Sequence, residues 1–250
     1  MIRILPGALT KAGISTELII EDSERVTNTY IKPMRHGISD VVYEDPRIDF
    51  ENYSPLSTET EDKLIAALDK AAERVNVICV SDQMKFGCIT KRVREHLCEL
   101  GKSGITVIVD SRDRAADYSY VTVKPNEVEA SRSFADGSEL SLESLAKLAL
   151  EIEKRNNRTA LVTLGANGCF TASSGIVTRC PAEPTKPPID FCGAGDTFLS
   201  CFGVMISAGA SPEDAARAAN LASSVTIKKI GTTGTASKSE LLSAAKERET

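Results

Sequence analysis

The segment Ile189-Asp190-Phe191-Cys192-Gly193-Ala194-Gly195-Asp196-Thr197-Phe198 places a turn of small residues, with an acid at its exit, directly before an apolar run. Phosphoryl transfer uses parts in this order. Backbone N–H groups of Gly193, Ala194 and Gly195 can converge at a helix N-terminus, where the dipole favours negative charge. Side chains there would keep a phosphate away, so the turn has to be small. Asp196 then stands where a carboxylate can accept the proton of an attacking hydroxyl. The same residues also suit an Asp capping an ordinary helix behind a glycine turn.

Three other stretches carry related chemistry. In Lys124-Pro125-Asn126-Glu127-Val128-Glu129, Asn126 and Glu129 are one helical turn apart and can face one hydrated cation or phosphate. The plain alternative is a capping box. Thr163-Leu164-Gly165-Ala166-Asn167-Gly168 follows an apolar run, and its glycines let backbone approach a nucleotide or simply turn the chain. Ala218-Ala219-Asn220-Leu221-Ala222-Ser223-Ser224 lays small residues along a helix, which suits a flat adenine or close helix packing. Two tempting matches fail. Gly101-Lys102-Ser103 ends like a P-loop, but His96 occupies the place of its first glycine. Gly193-Ala194-Gly195 lacks the third small residue of a dinucleotide fingerprint, since Phe198 stands there.

These motifs need a scaffold, and the periodicity supplies one. Strands are expected over 14–20, 27–32 and 38–43. A helix follows from a capping box at Thr58–Glu61 to about Arg74, then a strand over 75–80 buried on both faces. The alternation continues with a helix over 89–100 stopped by Gly101, a strand over 105–109, a strand over 120–123 and a helix over 126–134. A helix near 142–152, strands over 160–164, 168–172 and 176–180, and helices over 196–208, 212–229 and 237–247 complete it. This order implies an α/β protein with a three-layer, mostly parallel sheet, read as one domain over 1–250 with a small β segment at about 14–43. Ligands in such folds gather at the C-terminal strand ends.

Composition narrows the class. The 250 residues are 42% hydrophobic and 26% charged, ordinary for a soluble globular protein. A net charge of −5 argues against nucleic acid or an anionic membrane as partner. The N-terminal sequence has no signal-peptide layout, since Pro6-Gly7 interrupts its short apolar stretch. Seven cysteines without a C-x-x-C pair read as buried reduced thiols, and a cytoplasmic location is expected. Two histidines leave little for a histidine metal site or a Ser-His-Asp triad.

The ordered set Asn126-x-x-Glu129, Thr163-x-Gly165-x-x-Gly168, Asp190-x-x-Gly193-Ala194-Gly195-Asp196 and Ala219-Asn220 resembles the PfkB (ribokinase-like) carbohydrate kinases. Ser81-Asp82-Gln83-Met84-Lys85-Phe86-Gly87-Cys88-Ile89-Thr90 and Arg47-Ile48-Asp49-Phe50-Glu51 resemble the kinase domain of heptose-phosphate kinase/ADP-heptose synthase proteins. The resemblance implies a three-layer α/β/α fold with a β lid at 14–43, and ATP-dependent phosphorylation of a sugar or sugar phosphate, a heptose phosphate foremost. It implies Asp196 as base and Gly193, Ala194 and Gly195 as anion hole. It places Asn126 and Glu129 at magnesium and phosphate, Thr163, Gly165, Gly168 and Asn220 at the nucleotide, and Asp190 with Cys192 at a monovalent cation such as potassium. Lids of this kind can pair between subunits as a homodimer. The family's first strand and Gly-Gly-Asn-type sugar segment find no counterpart, so an N-terminally truncated fold is expected. The alternative function is a non-catalytic nucleotide-binding or scaffold protein.

Overall fold

The computed structural model describes residues 4–37 and 42–247. By internal contacts the chain divides into two compact units: the described residues up to Ala71 with Met84–Val93, and Ala72–Gln83 with Arg94 onward. Among the described residues no helix is long and apolar enough to cross a membrane.

The smaller unit holds α1 (Ile4–Lys11), β1 (Thr29–Ile31), β2 (Met34–His36), β3 (Val42–Glu44), β4 (Ile48–Phe50) and most of α2 (Thr58–Ala72). β1 pairs antiparallel with β4, and β2 with β3. The strand expected at 27–32 is therefore only three residues long. Of the one expected at 38–43, Ile38–Val41 lie outside the described residues and the rest falls in β3. Ile14–Ile20 is not a strand. The Ile19 N–H bonds to the Thr16 backbone carbonyl at 3.1 Å, with a longer bond from the Glu17 N–H to Ser15 Oγ, so the segment turns instead of extending. The cap of α2 is Ser57 rather than Thr58, its Oγ accepting the Thr60 N–H at 3.1 Å. Asn52 fastens the unit by bonding both the N–H and the carbonyl of Val26.

The larger unit is built on a six-stranded sheet. Its elements are β5 (Val77–Asp82), α3 (Lys91–Ser103, which begins in the smaller unit), β6 (Thr106–Ser111), β7 (Thr122–Val123), α4 (Glu127–Phe134), α5 (Leu142–Asn156), β8 (Ala160–Thr163), β9 (Cys169–Ser173), β10 (Ile176–Cys180), α6 (Ala194–Ser207), α7 (Pro212–Thr226) and α8 (Lys238–Lys246). The strand order is β10-β9-β8-β7-β6-β5, with β5 to β8 parallel and the β9–β10 hairpin antiparallel. The mostly parallel α/β sheet expected from the sequence is present. β6 and β8 are buried on both faces, and Ile108 and Leu161 meet Phe198, Leu199 and Phe202 of α6 in the core.

Three local expectations are corrected. β5 ends the sheet, so Cys79 is exposed instead of buried, as is Cys88 in the smaller unit. Gly101 does not stop α3. The helix runs on to Gly104, whose φ of +111° and amide bond to the Gly101 carbonyl end it. Gly101 is small for another reason: a Cβ there would lie 2.3 Å from the Tyr120 carbonyl oxygen. Tyr120 itself takes φ 59°, which shortens the strand expected at 120–123 to Thr122–Val123.

Candidate functional site

The parallel register between β6 and β7 sets Val109 beside Val123, so the residues that follow, Asp110 and Lys124, emerge as neighbours at the C-terminal strand ends. Lys124 Nζ meets Asp110 Oδ2 at 2.9 Å, with side chains only 4% and 9% exposed. A charge pair so far from water is retained only where both partners are held. The Lys124 ammonium also lies 6.0 Å from the centroid of the Phe198 ring.

Directly against this pair is the start of α6. Gly193 is its N-cap with φ 80°, a conformation open to glycine. A Cβ on Gly195 would lie 3.7 Å from Asp110 Oδ2 and 3.9 Å from Lys124 Nζ. The glycine therefore keeps backbone bare beside a buried ammonium at a helix N-terminus, and these features together attract an anion. Asp196 is exposed in the same first turn. The Ala194 N–H is committed inside the turn, to the Phe191 carbonyl at 3.1 Å.

Asn126 and Glu129 form the capping box of α4: Asn126 Oδ1 accepts the Glu129 N–H at 2.8 Å, and Glu129 Oε2 accepts the Asn126 N–H at 2.9 Å. Burial pushes the Glu129 carboxyl above its ordinary value, and the nearby Asp110 charge adds to this. Thr163 joins this corner to β8, its N–H donating to the Pro125 carbonyl at 3.0 Å.

The remaining expected positions form a second cluster. Gly165 and Gly168 have φ of 53° and 86° around a short 3-10 turn. A Cβ on Gly168 would sit 2.1 Å from the Cys180 carbonyl oxygen, so this glycine admits the end of β10. Asn220, 6% exposed, turns its amide to that same carbonyl at 2.9 Å and to that of Pro181 at 3.3 Å. One turn along α7, Ser223 Oγ bonds the Ala194 carbonyl at 3.0 Å, so one helix face braces both clusters. Asp190 is anchored by its N–H to the Ile227 carbonyl, and its Oδ1 accepts the Cys192 N–H at 2.9 Å.

Two groups at the strand ends escaped the sequence reading. The first is the Asp110–Lys124 pair. The second is Asp82, 2% exposed, which takes bonds from Arg114, Ser111 Oγ at 2.8 Å and Tyr118 OH at 2.9 Å. The available signal was an acid or lysine closing each apolar strand. Among the described residues no three His, Cys, Asp or Glu side chains form a metal cluster.

Bifunctional protein HldE from Desulfatibacillum aliphaticivorans is 31% identical over 238 residues, covering 92% of this chain and 46% of that protein. Its counterpart from Bradyrhizobium diazoefficiens is 32% identical over 238 residues, again 92% of this chain and 46% of the other. The chain thus spans about half the length of the curated relatives it matches. Among solved structures, ribokinase from Giardia lamblia superposes with a TM-score of 0.71 at 17% identity, over 98% of this chain and 78% of that one. Phosphofructokinase-2 from Escherichia coli in complex with potassium gives 0.66 at 21% identity, over 84% and 68%. At such identities these structures establish the ribokinase-like fold. The model of the pfkB family carbohydrate kinases matches residues 8–239, and the chain belongs to that family.

Proposed function

We propose that this chain is a kinase domain that transfers the γ-phosphoryl group of ATP to a hydroxyl of a sugar or sugar phosphate. A heptose phosphate is the foremost acceptor, a choice supported by the identity to the HldE proteins. Both compact units are assigned to this one domain. The observation that carries the reading is the buried Lys124–Asp110 pair set against the bare backbone of Gly195.

In this reading the Gly193 and Gly195 backbone, with the Ala194 N–H kept inside the turn by the Phe191 carbonyl, and the Lys124 ammonium face the charge that spreads over the transferring phosphoryl group. Asp196 takes the proton of the acceptor hydroxyl while its oxygen bonds to phosphorus and the bond to the ADP oxygen breaks. Gly165, Gly168, Thr163 and Asn220 shape the nucleotide end. A divalent cation such as magnesium supplies charge neutralisation when bound. The residues suit one held mainly by the nucleotide phosphates, because Glu129 and Asp110 concentrate negative charge that a cation relieves and no all-protein cage is formed among the described residues. Asp190 and the Cys192 carbonyl are assigned to a monovalent cation.

The test is ATP consumption against a panel of sugars and sugar phosphates, with and without potassium. Turnover that appears only with one acceptor class is the expected result. ATP binding by calorimetry with no turnover on any acceptor would leave a nucleotide-binding protein instead.

A further inference from the structure

Cys169 opens β9, Cys180 closes β10, and the two stand directly opposite each other in the antiparallel ladder. Both are fully buried, and neither has a part in the phosphoryl chemistry above. Opposed residues of such a ladder have Cα atoms about 4.5–5.5 Å apart. A disulfide spans roughly 4.4–6.8 Å between Cα atoms, so the positions are compatible with one. The Cys180 thiol donates to the Glu213 carbonyl at 3.7 Å, and its interaction with the Cys169 thiol brings Cys180 down to about 7 while Cys169 is pushed up.

The surroundings of the pair are equally specific. The Asn220 amide lies 3.8 Å from the Cys169 sulfur and 2.9 Å from the Cys180 carbonyl oxygen. That same carbonyl closes over Gly168. Pro181, the next residue, is exposed, so Cys180 lies one residue from solvent at the end of its strand.

We propose that Cys169 and Cys180 are an oxidation site, closed by a hydroperoxide into a disulfide behind the Gly168 turn, and that closure weakens nucleotide binding. The Cys180 thiolate attacks the outer peroxide oxygen. The O–O bond breaks, and the alkoxide or hydroxide released takes up a proton, leaving Cys180 as a sulfenic acid. The Cys169 sulfur then attacks Cys180. The S–S bond forms, the S–O bond breaks, and hydroxide departs with the Cys169 proton as water. Two thiols are oxidised and one peroxide is reduced. The new bond of about 2.05 Å is far shorter than a thiol contact, and it draws on the carbonyl shared by Asn220 and Gly168. The effect on nucleotide rests on the ATP reading above, whereas the disulfide does not.

The test treats the reduced full chain with hydrogen peroxide, alkylates it in denaturant, maps linked peptides by mass spectrometry and measures ATP affinity before and after. Of the seven cysteines two should escape alkylation, joined as Cys169–Cys180. The ATP dissociation constant should rise ~5-fold, the order of one lost hydrogen bond, and recover with dithiothreitol. Cys180→Ser should keep its ATP affinity under peroxide. Seven alkylated cysteines, or linkage elsewhere, would overturn the site. Linkage with unchanged affinity would overturn the coupling. Linkage in a protein that never binds ATP would count against the kinase reading and leave the disulfide standing.

Discussion

Gly195 separates folding from function at the scale of one residue. The contacts a methyl would make there, 3.7 Å to Asp110 Oδ2 and 3.9 Å to Lys124 Nζ, are ordinary van der Waals separations. The position is helical, where Ala is favoured over Gly by roughly 1 kcal/mol. Gly195→Ala is therefore expected to melt at the same or a higher temperature while losing turnover, because its methyl occupies the phosphate's approach. Lys124→Met should behave in the opposite way. It leaves Asp110 charged and buried without its partner, at a cost of about 3–5 kcal/mol in a denaturant titration. Adding Asp110→Asn should restore much of that loss without restoring activity. The glycine turn and its acid were legible in sequence because one contiguous segment carries them. The ion pair was not, because Asp110 and Lys124 become neighbours only through the β6–β7 register.

At the scale of elements, small anchors hold helix starts and strand ends. Asn220 and Ser223, one turn apart on α7, hold the end of β10 and the start of α6. The sequence marked that face as small and polar but could not say what it touched. Asn126 and Glu129 show the reverse case, since the capping box that the sequence allowed is present in the same two residues proposed for magnesium and phosphate. Gly101 was read as a helix stop because glycine commonly ends helices, yet here it admits the Tyr120 carbonyl, a tertiary demand that no local rule contains. α8 supplies a pH test. Lys229 Nζ lies 2.7 Å from Glu240, and this partner, with Ser237, holds the Glu240 carboxyl down at about 2. A lowered carboxylate contributes its stability above the ordinary value of 4.5 and loses it as pH falls toward the folded value. Protection of the α8 amides, taken against the intrinsic exchange rate at each pH, should therefore fall between pH 4.5 and 2, modestly because the pair is exposed and screened by salt. Unchanged protection across that window would contradict the anchor.

For the whole molecule, alternating strands and helices were enough to expect a mostly parallel α/β sheet, and the six-stranded sheet has that form. The early β stretch was less legible. Its strands are three residues long, and Ile14–Ile20, apolar enough to suggest a strand, is turned by the Ile19 N–H bond to the Thr16 carbonyl. Motif order along the chain pointed to a kinase family, and the family match over residues 8–239 rests on the same span. Asp196, exposed in the first turn of α6 beside Gly195, is the residue proposed to remove the acceptor's proton. The measurement that tests it most directly compares wild type with Asp196→Asn for ATP binding by calorimetry and for sugar-dependent ATP turnover. The expected result is unchanged ATP affinity with turnover reduced about 10²–10⁴-fold. Equal turnover in the two proteins would contradict it.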